Sequence, residues 1–579
     1  MKGRTVISAT SAALRHAPVV CAACLALGAA GAADAQVVSV LPSPQIGSSN
    51  PITAAPPVRR PHTRPCVVSL FQDLAFADFI PKVYHYAPPV GCPGPWAKVV
   101  LSADFTVTAG RQFDRTAAFY LGRANIYYGT TAEPRAALSP SWHVERDVTD
   151  LGAIFASAQT GEANIGNFLG TAPNGVNYNG IIYASAALEF YPASAQDPVP
   201  RIPDVVVPVN GSGGDAGALQ TTAGQISQTL HLPRNTERVY LDLIAQSQSQ
   251  DEFWYLCVPS DQARNLQSCG NTSFREAEVT LDGQPAGVAP VYPWIYTGGI
   301  DPFLWEPIPA VQTLAFRPYR VDLTPFAGVL ADGNPHVLAV SVYNANSYFL
   351  ATANLLAYTD HGRQHVSGGL LSNTLGPPAP VLTENIRSDP DEPTFTGSIL
   401  VTSHRTFAIS GYVDTSHGRV ITTVEQSIDF MSRQEFNVSP STDIHNTQQT
   451  TRVDSLVSTR TGADESVSEQ HFSYPLTLNY SFVVHADGTA TQVTMSDQRD
   501  LEGSTRGDAD GHARSLDNRV RATDTLQFDS SLHVVGNSGS QTTQGYRIED
   551  FSGDCYSRTL TAQAQRLVAV QDGQGCPGR

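Results

Sequence analysis

Asp114 lies in the run Gly110, Arg111, Gln112, Phe113, Asp114, Arg115, which sets a carboxylate between an aromatic ring and a guanidinium. A carboxylate beside arginine is expected to stay ionised near neutral pH, and in that form it can take a proton from water. The same pairing also occurs as a structural ion pair at a sheet edge, and spacing alone does not separate the two readings. Residues 116–128 are rich in Phe, Tyr, Leu and Ile, which predicts a strand, a turn at Gly122 and a second strand. Alternation puts Phe113, Ala117, Phe119 and Leu121 toward a core and Asp114, Thr116 and Tyr120 on the other side. Asp114 is therefore expected at the start of a strand, on a rim or cleft.

Other constellations of hydrolases are absent from the chain: no G-x-S-x-G elbow, no H-E-x-x-H and no Walker loop. What remains is carboxylates, Trp and Tyr in loop segments, and a few arginines. Two carboxylates can hydrolyse an amide with water and no cofactor, one accepting the water proton and the other helping the nitrogen leave. Aromatic side chains beside them suit the apolar faces of a sugar.

The elements that must position these groups are short strands. Residues 1–35 read as an export signal: Lys2, Arg4 and Arg15 precede an apolar run to Ala33, and Ala33, Asp34 and Ala35 form an A-x-A cleavage site. No later stretch has the apolar length of a membrane span, so a secreted or periplasmic chain, expected as a monomer, is predicted. The full sequence's formal charge of −17 and lack of a basic cluster argue against nucleic acid. Of eight cysteines, Cys21 and Cys24 leave with the signal. The rest form near-neighbour pairs, Cys66–Cys92, Cys257–Cys269 and Cys555–Cys576, expected as disulfides in an oxidising compartment. No C-x-x-C survives cleavage and no histidine lies at ligand spacing to a cysteine, so no metal is expected.

Residues 36–65 read as a Pro-rich extended leader. Beyond Cys66 the chain is all-β, with Gly, Pro, Asn and Asp turns of the kind found in β-sandwiches and jelly rolls. Composition shifts at 202–218 and 377–393 read as linkers, giving a first jelly-roll domain over 66–201, a second over 219–376, and a third β-rich domain over 394–579.

Several motifs together resemble the peptide-N-glycosidase A family, which includes bacterial members that work in acid. They are GRQFDR with the following LGxxNI strand, TAEPR at 131–135, WHVERDVT at 142–149, DEFWY at 251–255, SFRE at 273–276, LDG at 281–283 and IYTGGI at 295–300. The resemblance implies an amidase that cleaves the bond between glucosamine and the asparagine side chain of N-glycosylated peptides and glycoproteins. An endoglycosidase cutting between the two core sugars, and a secreted glycan-binding sandwich without activity, are the alternatives. The related F-type enzyme has two jelly rolls side by side, and its key Asp lies between an aromatic residue and Arg at a strand start. Phe113, Asp114 and Arg115 match that context, so the resemblance makes Asp114 the water-activating residue, with Arg115 beside it. Where the F-type enzyme carries a second carboxylate this chain has Asn271, which cannot titrate and is left to orient the substrate amide. Glu252, in the motif with Asp251 and Trp254 near the Cys257–Cys269 pair, is the expected substitute, and Glu276 follows it. Arg275 and Trp305 are candidates to grip the sugar. Glu133 is another, although an exposed turn at Pro134 accounts for it equally well.

Overall fold

Runs of β-branched and aromatic residues punctuated by glycine, proline and asparagine fold here as antiparallel strands, and the all-β expectation holds. The computed structural model describes residues 43–573 apart from 174, 390 and 506–513. The expected signal, 1–35, and Cys576 of the third expected disulfide lie outside the described residues. Cys66–Cys92 and Cys257–Cys269 are both bonded.

Two four-stranded sheets make the first sandwich. One has the order Cys66–Phe76, Ile182–Pro192, Trp96–Val107, Ser141–Asp147, and the other the order Lys82–Tyr86, Gln159–Ile165, Thr116–Leu121, Ala124–Thr130. The expected hairpin is present, turning at Gly122 and Arg123, both with positive φ. Its alternation is also as read: Ala117, Phe119 and Leu121 enter the core of this sandwich. The opposite face differs from expectation. Tyr120 and Tyr128 are buried in the apolar cluster of the second sandwich, so this face is an interface and not a solvent rim.

The second sandwich pairs a sheet of order Val205–Val209, Phe349–Thr359, Thr236–Ser247, Tyr319–Asp322 with one of order Gln225–Leu230, His336–Val342, Glu276–Leu281, Gln284–Pro290. Residues 202–218 are thus no linker. Val205–Val209 and Gly217–Leu219 both bond to Phe349–Thr359. Pro208 fits there because the strand lies at a sheet edge, where a missing N–H removes no ladder bond.

A 12-stranded antiparallel sheet follows, with strands as long as the 22 residues of Gly418–Ser439. The stretch 377–393 does not detach it: Val381–Ser388 bonds to Phe395–Thr415. The sheet shares one continuous apolar cluster with the second sandwich, through contacts such as Phe274 on Phe430 at 5.0 Å and Tyr292 on Tyr474 at 4.9 Å. Gln498 clamps the same junction, accepting from Val311 N at 2.9 Å and donating to Pro293 O at 2.7 Å. All of this belongs to one compact unit. Among the described residues no helix is long and apolar enough to cross a membrane.

The described part of the leader is a strap. Ala54 is buried against the far end of the 12-stranded sheet, and Ile52 N donates to Pro307 O at 2.8 Å. Arg60 then binds Glu145 and Glu189 of the first sandwich, whose side chains are 2% and 1% exposed. Arg60→Ala would leave Glu189 buried without its cation and Glu145 with His143 alone, so a loss of about 3 kcal/mol in stability is expected. A thermal melt checks this; an unchanged melting temperature would mean that the strap carries no load.

Candidate active site

Asp114 ends the irregular segment that leads into Thr116–Leu121, and backbone pairing fixes what lies beside it. Thr116 faces Thr130 across the hairpin. One step further, Thr131 N donates to Arg115 O at 2.8 Å and Arg115 N to Thr131 Oγ1 at 2.9 Å. This register carries Glu133 next to Asp114, whose N–H points at Glu133 Oε2 at 3.4 Å.

The second sandwich supplies the opposite wall. Thr297 Oγ1 accepts from Glu133 N at 2.9 Å and donates to Thr131 O at 2.8 Å. That docks the 296–301 loop on the first sandwich and brings Gly298 N to 2.8 Å from Asp114 Oδ2. Residue 298 is crowded: a Cβ there would lie 2.0 Å from Glu133 Oε2 and 3.3 Å from Asp114 Oδ2, so any side chain would displace the Glu133 carboxylate. Trp305 Nε1 donates to Gly299 O at 2.9 Å and props the loop from behind.

Glu252 comes from the loop after Thr236–Ser247. That loop is held by the buried pair of Arg275 and Asp251 at 2.9 Å, with Asp251 Oδ2 also accepting from Asn346 N at 2.6 Å and Ser347 N at 2.8 Å. The Cys257–Cys269 bond closes it.

Asp114, Glu133 and Glu252 thus form one electrostatic group, and each is half-buried. Burial, followed by the charge of Asp114, pushes both Glu133 and Glu252 up to about 7. Asp114 departs from the sequence expectation. Burial raises its pKa above the ordinary value, although the Gly298 N–H and the Arg115 charge pull the other way. The guanidinium does not clamp the carboxylate; it lies 5.7 Å from the Phe113 ring. Its Nε is buried without a hydrogen-bond partner among the described residues.

The other predicted residues fall outside this group. Glu276 is buried in the junction with the 12-stranded sheet, bonded to Arg405 at 2.6 Å. Burial raises it to about 8, and Arg405 and Glu278, not Asp114, are the charges that act on it. It is a sheet residue facing the C-terminal layer, apart from the group around Asp114. Trp254, at 0% exposure, and Trp305, at 3%, have no face open to a sugar. Asp251 and Arg275 act as a brace and are equally enclosed. Asn271, at φ 66°, is a turn residue held by Ser260. The sequence reading missed Gly298 and Thr297 as site residues. The Gly298–Gly299 pair inside an aromatic run was their signal.

Two family models match the chain. One, described as peptide N-acetyl-β-D-glucosaminyl asparaginase amidase A, covers residues 56–375, and one for the PNGase A C-terminal domain covers 398–476. A peptide-N4-(N-acetyl-β-glucosaminyl)asparagine amidase A of Prunus dulcis is 27% identical over 541 residues, 90% of this chain and 92% of that protein. A solved structure of recombinant peptide:N-glycanase F is 14% identical, with TM-score 0.35, over 51% of this chain and 96% of that one. Another, of PNGase F described as a glycosylasparaginase from Flavobacterium meningosepticum, has 14% identity, TM-score 0.34 and the same coverage. With more than half its length matched by the first model, the chain belongs to the peptide N-acetyl-β-D-glucosaminyl asparaginase amidase A family.

Proposed function

We propose that this protein hydrolyses the amide joining glucosamine to the asparagine side chain of N-glycosylated peptides and proteins. The observation that carries the reading is a carboxylate group of unequal members, in a chain of this family, at the junction of two sandwiches. Asp114 has a backbone N–H and a nearby guanidinium favouring its charged form against burial, and its charge is what raises the two glutamates after burial, so it is read as the ionised member. Nothing comparable favours the charged form of Glu252. As the carboxylate, Asp114 accepts a proton from water while the water oxygen bonds to the side-chain carbonyl carbon. The C–N bond then breaks as Glu252 or Glu133 protonates the departing nitrogen. The products are aspartate at the former asparagine and a glycosylamine. Arg115 Nε is placed to hold a substrate oxygen. The reading also takes the protein as exported and monomeric: two disulfides suit an oxidising compartment, and Asp114, Glu133 and Glu252 come together within one chain.

Mass analysis of a digested glycopeptide in heavy-oxygen water tests this. Aspartate carrying one heavy oxygen is expected. A sugar remaining on asparagine would indicate an endoglycosidase, and an unchanged glycopeptide a binding protein.

The pH dependence follows from the same groups. Above about 7 Glu133 and Glu252 lose the proton they must donate, so kcat/KM is expected to decline there, approaching tenfold per pH unit. Stability moves the same way. Unfolded glutamate ionises near 4.5 and these two near 7, so the folded state binds more protons between those values and loses stability as pH rises. Melts between pH 5 and 8 should show that fall, and a shallower one for Glu252→Gln. A rate that climbs through pH 8 would exclude the two glutamates as acids.

A further inference from the structure

A cavity of about 430 Å³ that the proposed chemistry does not use is lined by the immediate chain neighbours of Glu252 and of the Gly298–Gly299 turn, Phe253 and Ile300. Its walls come from both halves of the molecule. Phe253, which follows Glu252, and Ile300, two residues beyond Gly298, form one side together with Gln250. Asp443, His445 and Tyr480 of the 12-stranded sheet form the other. Phe253 is pressed against the turn, its Cε1 3.2 Å from where a Cβ on Gly299 would stand. Phe253 thus links the two places: it follows Glu252 in the chain, touches the turn that carries Gly298, and lines the cavity.

The lining specifies the ligand. His445 faces Tyr480 across the strand pair, and its Nε2 lies 2.8 Å from Asp443 Oδ1. Amide, carboxylate, imidazole and phenol thus converge beside aromatic and aliphatic surface, the mixture that receives a hydroxylated ring. No lysine or arginine lines the cavity among the described residues, which disfavours an anionic ligand. A peptide would need a sheet edge to extend, and the two strands concerned, Thr442–Thr461 and Leu476–Val484, are paired on both sides.

We propose that this cavity is a sugar subsite that takes an uncharged outer residue of the N-glycan while the linkage sugar lies on the carboxylates. The proposal rests on the amidase reading for the direction in which the glycan runs. It gives the C-terminal sheet a part in substrate choice.

Two glycopeptides with the same peptide test it, one trimmed to the two innermost sugars and one carrying a complete neutral glycan. Tyr480→Ala and His445→Ala are expected to lower the ratio of kcat/KM, complete over trimmed, by about tenfold, through KM, as loss of a hydrogen bond at a sheltered site implies. Gln250→Ala, at an exposed position, provides a variant whose folding is not at risk and should lower the ratio in the same direction. In parallel, calorimetry with the free neutral oligosaccharide should show binding to the unmodified protein and weaker binding to the variants. If neither glycopeptide is hydrolysed, the amidase reading falls, and the binding measurement still decides the subsite. Equal losses on both substrates, or an unchanged ratio with undiminished oligosaccharide binding, would overturn it.

Discussion

Asp114→Asn is expected to reduce turnover by about 10²–10⁴-fold, the contribution of a positioned general base. The replacement keeps shape, and an amide oxygen can still accept the Gly298 N–H that Asp114 Oδ2 receives at 2.8 Å. Binding of glycopeptide should persist. The consequence for stability has a definite sign. Because burial raises Asp114 above its ordinary pKa, its ionised form opposes folding near neutral pH, and removing that charge should leave the melting temperature unchanged or higher. A structural role beside Arg115 predicts the reverse, a lower melting temperature with near-normal turnover per folded molecule. Rate and melt measured on one sample separate the two. Retention of most of the turnover would take Asp114 out of the chemistry and make Glu252 the base to test.

The position of Asp114 was legible because local pattern decides it. Aromatic and β-branched alternation after residue 116 defines a strand, Gly122 defines its turn, and the carboxylate falls at the strand's start. The same register held Glu133 in plain view. Thr116 opposite Thr130 puts residues 114 and 133 side by side, yet TAEPR reads as an exposed turn until pairing is counted. What lay beyond the sequence was everything set by contact between sandwiches. Tyr120 looks like the solvent side of a half-buried strand and is instead buried in a second core. Residues 205–209 look like a linker because Pro and Gly surround them, and become an edge strand only once Phe349–Thr359 is there to pair with. Trp254, Arg275 and Trp305 carry the types expected of sugar contacts, but types do not report which way a side chain turns. Here they brace the loops that bear Glu252 and Gly298.

Gly298→Ala tests whether that bracing is catalytic in purpose. The added methyl would sit 2.0 Å from Glu133 Oε2 and 2.9 Å from its Cδ, and at a tight 3.3 Å from Asp114 Oδ2, which a few tenths of an ångström relieves. The end of a glutamate side chain can swing away at little cost, so the fold should survive with a melting temperature close to that of the parent. What changes is the separation of Glu133 from Asp114, and a displacement on the order of 1 Å at reacting groups is worth about 10²-fold in rate. The loss should appear in kcat, with KM for the glycopeptide little altered. The pH profile adds a second readout. Glu133 is held near 7 by burial and then by the charge of Asp114. Moved outward it loses both influences and ionises lower, so the alkaline limb should shift toward acid pH. Glu133→Gln, which removes the proton donor but leaves the loop in place, should match the rate loss without crowding Gly298. If Gly298→Ala is folded and fully active while Glu133→Gln is also active, Glu133 has no part in the reaction, and the acid must be Glu252.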